Sequence, residues 1–560
     1  MVVPKRDKPP PAPQSLPAPS SSEVPKTLND LINGVSVWQR SLVLVVCRSI
    51  PCAFSILGIT FFAPKSQTYS CAPMYNMTDQ DWREWNNGTD LSCNYRPQGN
   101  NTSSPNGVER CSAWTFDTAN FTRTVKQEFN WVCGNGWMHE FIETSFMVGM
   151  MAGNVLFSHA SDWYGRKWSN TASGVLVLVT SVGAALSPNF YTFALCRTAL
   201  AMGVGGCLSG PMTLALETTN ARQRSVVSFF DVLSWSIGVI LLPVFPYFIR
   251  DWRWLQFALS FGSLPLIVSI LLIDESPKWL LATGQTDRAR PVIRRMLRRN
   301  GFADGDRELD EIIRGSSREV AKQCDGRARE KPSVLSLFRG RSATITTLAF
   351  LIHFPLCIMV YYNMMFFVVD VGNDPYLNTL LAGVFEIPSP FLIFTMVRFF
   401  RRKVVYYILN ISSALAIFAL CFTFDDQTSM RRTFGAIAKV GCQVLFSVLT
   451  VHANELYPTR MRSIALGLFL TVASVGAMAS PLVKGIKDMS FITALNSSCC
   501  LIGLLVSIPL RETFNRPLPD DDVSDQDEDG ATVDAKTPPT DLKLDVANKI
   551  DLADIETSQL

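Results

Sequence analysis

Four charged side chains stand out inside the long apolar stretches of this chain: Arg48, Asp231, Glu386 and Lys439. A charge held at a bilayer centre costs about 2.5–3.5 kcal/mol on insertion scales, so one kept there is a candidate for ion binding. Glu386 lies mid-stretch in FEIPSP, where the following prolines weaken the helix. In a low-dielectric cavity its carboxylate attracts a cation that water would otherwise screen. Asp231 sits less than two turns into its stretch, within reach of a loop arginine as well. Arg48, a third of the way into its stretch, is also placed to snorkel toward the cytoplasmic surface. Lys439 has a structural alternative too, an internal pair with Glu386 or Asp231 that only holds the protein's halves together. Phe354, Tyr361 and Tyr362 share one stretch and can offer ring faces to a cation, a contact worth about 0.5–2 kcal/mol. Aromatics in such stretches also serve as packing, and His353 beside them reads as a helix-facing polar group. No nucleophile–base pair or metal-spaced cluster stands out, so no enzyme activity, cofactor or metal is expected.

The stretches that must position these residues recur along all 560 residues. They number about twelve: 41–63, 139–157, 169–187, 191–214, 226–248, 254–273, 343–369, 377–397, 404–423, 434–453, 464–486 and 490–510. Each is long enough to cross a bilayer as a helix. A soluble reading would require a dozen buried helices with almost no amphipathic partner. The fold class is therefore an all-α membrane protein with two six-helix halves, 41–273 and 343–513. The net charge of +3 conceals a segregation of basic residues. Arg166/Lys167, Arg222/Arg224, Arg398/Arg401/Arg402/Lys403 and Arg460/Arg462 fall in alternate short loops, and the Arg-rich segment 274–342 falls on the same side. By the positive-inside rule that side is cytoplasmic, as are both termini. Residues 1–40 read as a disordered tail, Pro- and Ser-rich over 1–30. They are no signal peptide, because the first apolar run is too late and too long. The acidic residues 514–560 read as a second disordered tail. A nucleic-acid partner is not expected, since a positive-inside loop already accounts for the basic run.

The loop Ser158–Ser169, SHASDWYGRKWS, joins the second and third stretches. Gly165 permits a sharp turn. Arg166 and Lys167 hold the loop inside, and Asp162 can meet a helix N-terminus or a nearby arginine. Charges stacked at a helix end can latch one closed state and release it; the plainer alternative is a basic turn with no moving part. The fourth stretch opens with Arg197, carries Gly203, Gly205, Gly206 and Gly210 for close helix approach, and ends with Glu217 before Arg222 and Arg224. The second half repeats the plan: RRK at 401–403 stands where GRK stands, and Glu455 with Arg460 and Arg462 echoes Glu217. Arg166 to Glu217 is 51 positions and Arg401 to Glu455 is 54. Two such halves place a transport site between them, near the midplane.

Residues 64–138, predicted outside the cell, carry N-x-S/T sequons at Asn76, Asn87, Asn100, Asn101 and Asn120. They also carry Cys71, Cys93, Cys111 and Cys133, which suggest two disulfides in one of three pairings.

DWYGRK resembles the loop signature of the major facilitator superfamily. ESPKWLL, ELYPTRMR and ETFNRPLP, with DWRWLQ and the sequon-rich outer loop, resemble the solute carrier family of organic cation, organic anion and carnitine transporters over residues 37–520. The resemblance implies twelve helices, plasma-membrane residence and alternating access; no GxxxxGK[ST] motif is present. It matches Glu386 to an acidic position of the cation transporters, Lys439 to a basic position and Tyr361 to a pocket aromatic. Three departures stand out. Ser158 stands where the loop signature usually begins with glycine. Val397 and Phe400 occupy the places of the Asp and Gly in the second copy of the loop. Ser474, twelve residues after Arg462, stands where cation-selective members carry Asp and the others Arg. The expected function is polyspecific transport of small organic cations or zwitterions such as carnitine, by a monomer or weak homo-oligomer in the lipid bilayer. The alternatives are an organic anion transporter of the same fold and a non-transporting membrane sensor.

Overall fold

The computed structural model describes residues 28–33, 38–65, 67–73, 77–86, 91–96, 108–118, 120–219, 221–299, 305–325, 334–372, 374–424, 426–457, 459–486 and 488–514. Among the described residues, twelve long helical passes run in order. The first six are α1 (Trp38–Leu57, continued by Ile59–Phe62), α2 (Trp137–Tyr164), α3 (Arg166–Ala185), α4 (Phe190–Glu217), α5 (Ala221–Leu241, continued by Val244–Phe248) and α6 (Trp252–Ser260 and Leu264–Leu272). The second six are α7 (Arg341–Asp370), α8 (Pro375–Val384 and Ser389–Phe399), α9 (Arg402–Ala419), α10 (Thr428–Leu456), α11 (Thr459–Lys484) and α12 (Met489–Ser507). The ends carrying Arg166 and Arg402 are called inner, and the opposite ends outer.

Among the described residues, eleven helices are long and apolar enough to cross a membrane. The pass outside that set is α3. Its buried face is lined by Ser169, Asn170, Ser173 and Ser181, small polar groups that lower its hydropathy without shortening it. Small residues let α2 and α4 touch backbone to backbone: a Cβ on Gly205 would stand 2.2 Å from the Met150 carbonyl oxygen.

The loop expected over 158–169 is a single residue. α2 stays helical to Tyr164, α3 begins at Arg166, and Gly165 between them takes φ +106°, a conformation that favours glycine. The eighth pass breaks over residues 385–388, so the prolines of FEIPSP end one helical piece and start the next beside Glu386.

Segment 274–342 carries helices, one of them over RPVIRRMLRR. Pro277–Ala282, Thr286–Arg299 and Asp306–Asp325 are helices. Their apolar faces, including Trp279, Ile293, Leu297 and Ile312, form a small core of their own. Leu28–Asn33, expected as part of a disordered tail, is a helix that adds Leu28, Leu31 and Ile32 to this core. The i, i+3, i+4 spacing of those apolar residues explains why it docks.

Outside the bundle, Cys71 pairs with Cys111 and Cys93 with Cys133. The two bridges staple the short antiparallel pairs Tyr69–Cys71 with Trp114–Phe116 and Asn94–Tyr95 with Glu109–Arg110. Asn120 is exposed; Asn76, Asn87, Asn100 and Asn101 lie outside the described residues. Glu128 ties this outer layer to the start of α6 by accepting from Arg253 Nη2 at 2.6 Å and from Trp252 Nε1 at 2.7 Å.

Candidate functional site

Arg48, Asp231, Glu386 and Lys439 form two ion pairs, one in each half. Arg48 Nη2 lies 2.6 Å from Asp231 Oδ1, which also accepts from Ser49 Oγ at 2.7 Å. Arg48 additionally donates to the Leu208 carbonyl. It is 4% exposed, so it does not snorkel; the carboxylate one helix away supplies the partner that an aqueous surface would have. Asp231 accordingly meets a span arginine rather than a loop arginine. In the second half Lys439 Nζ lies 3.0 Å from Glu386 Oε2 and donates to the Ala382 carbonyl at 3.2 Å. Tyr361 donates to Glu386 Oε1 at 3.1 Å. Both members of this pair belong to one half, so the pair does not bridge the halves.

The pairs differ in access. The side chains of Lys439 and Glu386 are 1% and 0% exposed. Asp231 is 23% exposed, and both of its side-chain hydrogen bonds fall on Oδ1. Tyrosines lie between the two pairs. Tyr361 and Tyr362 pack edge to face at 5.3 Å. The Trp235 indole of α5 comes up to the Tyr361 hydroxyl, and Tyr362 lies within electrostatic reach of Cys52, which in turn lies near Arg48 and Asp231. Trp235 was not singled out from the sequence. The available signal was its spacing of four from Asp231, which puts both on one helix face.

Two other expected site residues are engaged by their immediate neighbours. Phe354 is fully buried among Phe350, Phe446 and Phe469, lying nearly parallel to the Phe469 ring at 5.5 Å. It is a packing residue in this conformation. Ser474 donates to the Leu470 carbonyl of its own helix at 3.1 Å. His353 is buried against Tyr406, with ring centroids 5.7 Å apart.

At the inner end, Arg166 lies 3.0 Å from Glu217 and 2.5 Å from Asp162. The Lys167 backbone N–H donates to the Glu275 carboxylate at 3.1 Å, and its ammonium donates to the Leu271 carbonyl at 3.0 Å. The second half copies this arrangement, with Arg402 in the role expected of Arg401. Arg402 Nη2 lies 2.7 Å from Glu455, a spacing of 53 positions. The Arg402 and Lys403 N–H groups donate to Glu512 at 2.9 and 3.1 Å. Arg402 Nη1 donates to the Val397 carbonyl as Arg166 Nη1 does to that of Ser161. The register therefore shifts by one: Arg398 and Arg401, not Val397 and Phe400, replace Asp162 and Gly165.

Glu275 and Glu512 complete these two clusters and were not singled out from the sequence, although ESPKWLL and ETFNRPLP both begin with them. Each carboxylate receives the free N–H groups at a helix start. Burial pushes the Glu512 carboxyl up, but the N–H groups of Lys403, Arg402 and Phe514 outweigh it and hold its pKa below the ordinary value.

Arg462 donates to the Tyr457 carbonyl at 3.4 Å; the side chains of Arg222, Arg224 and Arg460 lie outside the described residues. Arg197 does not join this inner cluster. α4 begins at the outer end with Phe190, which leaves Arg197 about two turns below the outer surface. There it donates to the Ser55 carbonyl at 3.1 Å and lies 4.6 Å from the Phe146 ring.

A family model described as "Sugar (and other) transporter" matches residues 124–518. The organic cation transporter-like protein of Drosophila melanogaster is 27% identical over 503 residues, covering 86% of this chain and 88% of the relative. The β-alanine transporter of the same organism is 28% identical, covering 72% and 67%. Solute carrier family 22 member 7 of Rattus norvegicus is 28% identical, covering 77% and 80%. The proton:xylose symporter XylE bound to 6-bromo-6-deoxy-D-glucose shares the fold at a TM-score of 0.58 and 15% identity, covering 86% of this chain and 98% of that one. The matched helices, the two-half repeat and these relatives make the chain a multi-pass membrane transporter of the major facilitator fold rather than an enzyme, and it belongs to the sugar (and other) transporter family.

Proposed function

We propose that this transporter moves small organic cations or zwitterions by alternating access, with Asp231 as the carboxylate that substrate meets. The observation that carries this reading is the contrast between the two acids. Glu386 is enclosed and saturated by Lys439 and Tyr361, whereas Asp231 is partly exposed. A bound ammonium group gains most from a carboxylate that it can reach without first breaking a sealed pair. The centre as a whole is electroneutral, two basic and two acidic groups, which suits a zwitterion whose two charges exchange with the two members of a pair. A relative named as a β-alanine transporter supports the same class. The anion reading is weaker, because the side chains of Arg48 and Lys439 are only 5% and 1% exposed, against 23% for Asp231.

In this proposal the halves 41–273 and 343–513 rock around the site in the plasma membrane, as a monomer or weak homo-oligomer with both termini cytoplasmic, an orientation supported by the basic inner loops. The test is uptake of tetraethylammonium, carnitine, β-alanine and an aromatic carboxylate, side by side, in cells expressing the parent and Asp231→Asn. Loss of cation and zwitterion uptake at normal surface level is expected. Undiminished uptake by Asp231→Asn would exclude Asp231, and uptake of the carboxylate alone would exclude the substrate class.

A further inference from the structure

We propose that Lys484 is the movable bolt of an outer gate, thrown between Glu143 of the opposite half and Asp370 of its own; this rests on the alternating-access reading. Lys484 is the last residue of α11. Its Nζ lies 2.8 Å from Glu143 Oε1 on α2 and 3.3 Å from Asp370 Oδ2 at the end of α7. Asp370 also lies 3.5 Å from Lys65, just beyond α1. Charges thus alternate along a line from Lys65 to Asp370, Lys484 and Glu143, and the line passes from the first half into the second and back.

The surroundings strengthen the links. The Lys484 side chain is 12% exposed and that of Glu143 is 3% exposed, so water screens their attraction only weakly. Lys484 Nζ also sits 4.5 Å from the Phe366 ring. Around the line the outer ends of the halves are in contact: Phe61 of α1 packs on Tyr376 of α8 at 5.6 Å, and Gly485, just past α11, comes against Glu140 of α2. This is the closed state of the outer side.

Opening that side must part α2 from α11 and α1 from α7. Of the three links, Glu143–Lys484 and Lys65–Asp370 then break, while Asp370–Lys484 stays within one half. The ammonium is therefore never stripped of a carboxylate, and His139, 3.3 Å from Glu143 Oε1, stays beside the acid that is left behind. A buried pair that simply broke would leave two uncompensated charges. Sharing one lysine between two acids keeps the closed and open states near in free energy, as a two-state gate requires.

The test uses uptake of tetraethylammonium, carnitine and β-alanine, with the surface level of the protein, in cells. Lys484→Glu, which sets three acids together, should lower uptake at least about ten-fold at normal surface level. Because Asp370 shares the site, the exchange Glu143→Lys with Lys484→Glu should restore uptake only partly, and adding Asp370→Asn should restore it further. As a conformational readout, a cysteine introduced by Tyr362→Cys should react faster with an impermeant maleimide from outside in Lys484→Glu, relative to the same protein without it. Normal uptake by Lys484→Glu, or loss that neither exchange rescues together with unchanged labelling, would overturn the gate. Absence of uptake by the parent for every substrate would instead overturn the transport reading beneath it.

Discussion

The Glu386 carboxylate lies 3.0 Å from the Lys439 ammonium, and neither side chain is more than 1% exposed. A pair this enclosed contributes little net stability, because desolvation offsets most of the attraction, but removing one partner strands the other at a cost of about 3–5 kcal/mol. Lys439→Ala should therefore depress the thermal stability of the purified protein and its surface level strongly. The double change Glu386→Gln with Lys439→Met should recover most of that loss. Thermal unfolding of the three proteins in one detergent checks this; if the double variant is no better than the single one, the pair is not what holds these helices.

At the inner end the two halves carry the same device, an arginine on an acid and a second acid on the helix start behind it. Asp162→Asn and Arg166→Ala should slow turnover several-fold while equilibrium substrate binding survives, since both lie well inward of the paired charges. Arg402→Ala should behave alike, and Arg401→Ala should not, because Arg402 makes the contact with Glu455. A substrate-binding measurement on purified protein beside an uptake rate separates the two effects. Loss of binding with normal folding would count against a gating role.

The spans were legible because lipid tolerates so few charges that apolar length alone marks them. α3 was also found, although its serine-lined face makes it less hydrophobic than its neighbours. The four intramembrane charges were legible for the same reason, but their pairing was not: Lys439 had two acids to choose from, and only packing decides between them. The one-position shift from Arg401 to Arg402 escaped because a run of basic residues has no internal punctuation. Glu275 and Glu512 escaped because a helix start gathers its acid from more than a hundred positions away. The cysteine pairing, one of three, required the two short strand pairs to be seen together.

The outer layer offers a pH test. Burial works against ionisation of Glu128, but hydrogen bonds from Arg253 and Trp252, with the charges of Arg253 and Arg123, hold its carboxyl below the ordinary value of 4.5. A depressed carboxyl adds stability that is fully present above its unfolded value and is lost as pH falls through the lower folded value. Thermal stability should thus decline below about pH 4.5, and Glu128→Gln should flatten that decline. At neutral pH the same change should cost about 1.5–3 kcal/mol, the range for hydrogen bonds to a charged group. Parallel melting curves from pH 3 to 7 would show it, and an unchanged acid limb in the variant would remove Glu128 from the account.

The outer loop should also be glycosylated, at Asn120 at least, where the side chain is free to be reached. Glycosidase treatment of protein made in a eukaryotic host should shift its gel mobility. No shift would place the loop on the other side of the membrane and invert the proposed orientation.

Ser474 gives the sharpest control over substrate charge. Its hydroxyl is occupied by the Leu470 carbonyl of its own helix, and each of the two ion pairs is neutral in itself, so the paired centre has no net charge to favour either sign. One added charge therefore decides the balance. At an effective dielectric of about 20, two unit charges about 10 Å apart interact by about 1.7 kcal/mol, roughly ten-fold to twenty-fold in affinity. Ser474→Asp should raise cation uptake at low substrate concentration by about that factor and leave zwitterions nearly unaffected. Ser474→Arg should weaken cation uptake to a similar degree and admit aromatic carboxylates. Concentration series for a cation, a zwitterion and a carboxylate in the three proteins would measure it. If both substitutions change all three substrates in the same direction, Ser474 acts through packing of α11 and the substrate path runs along another face.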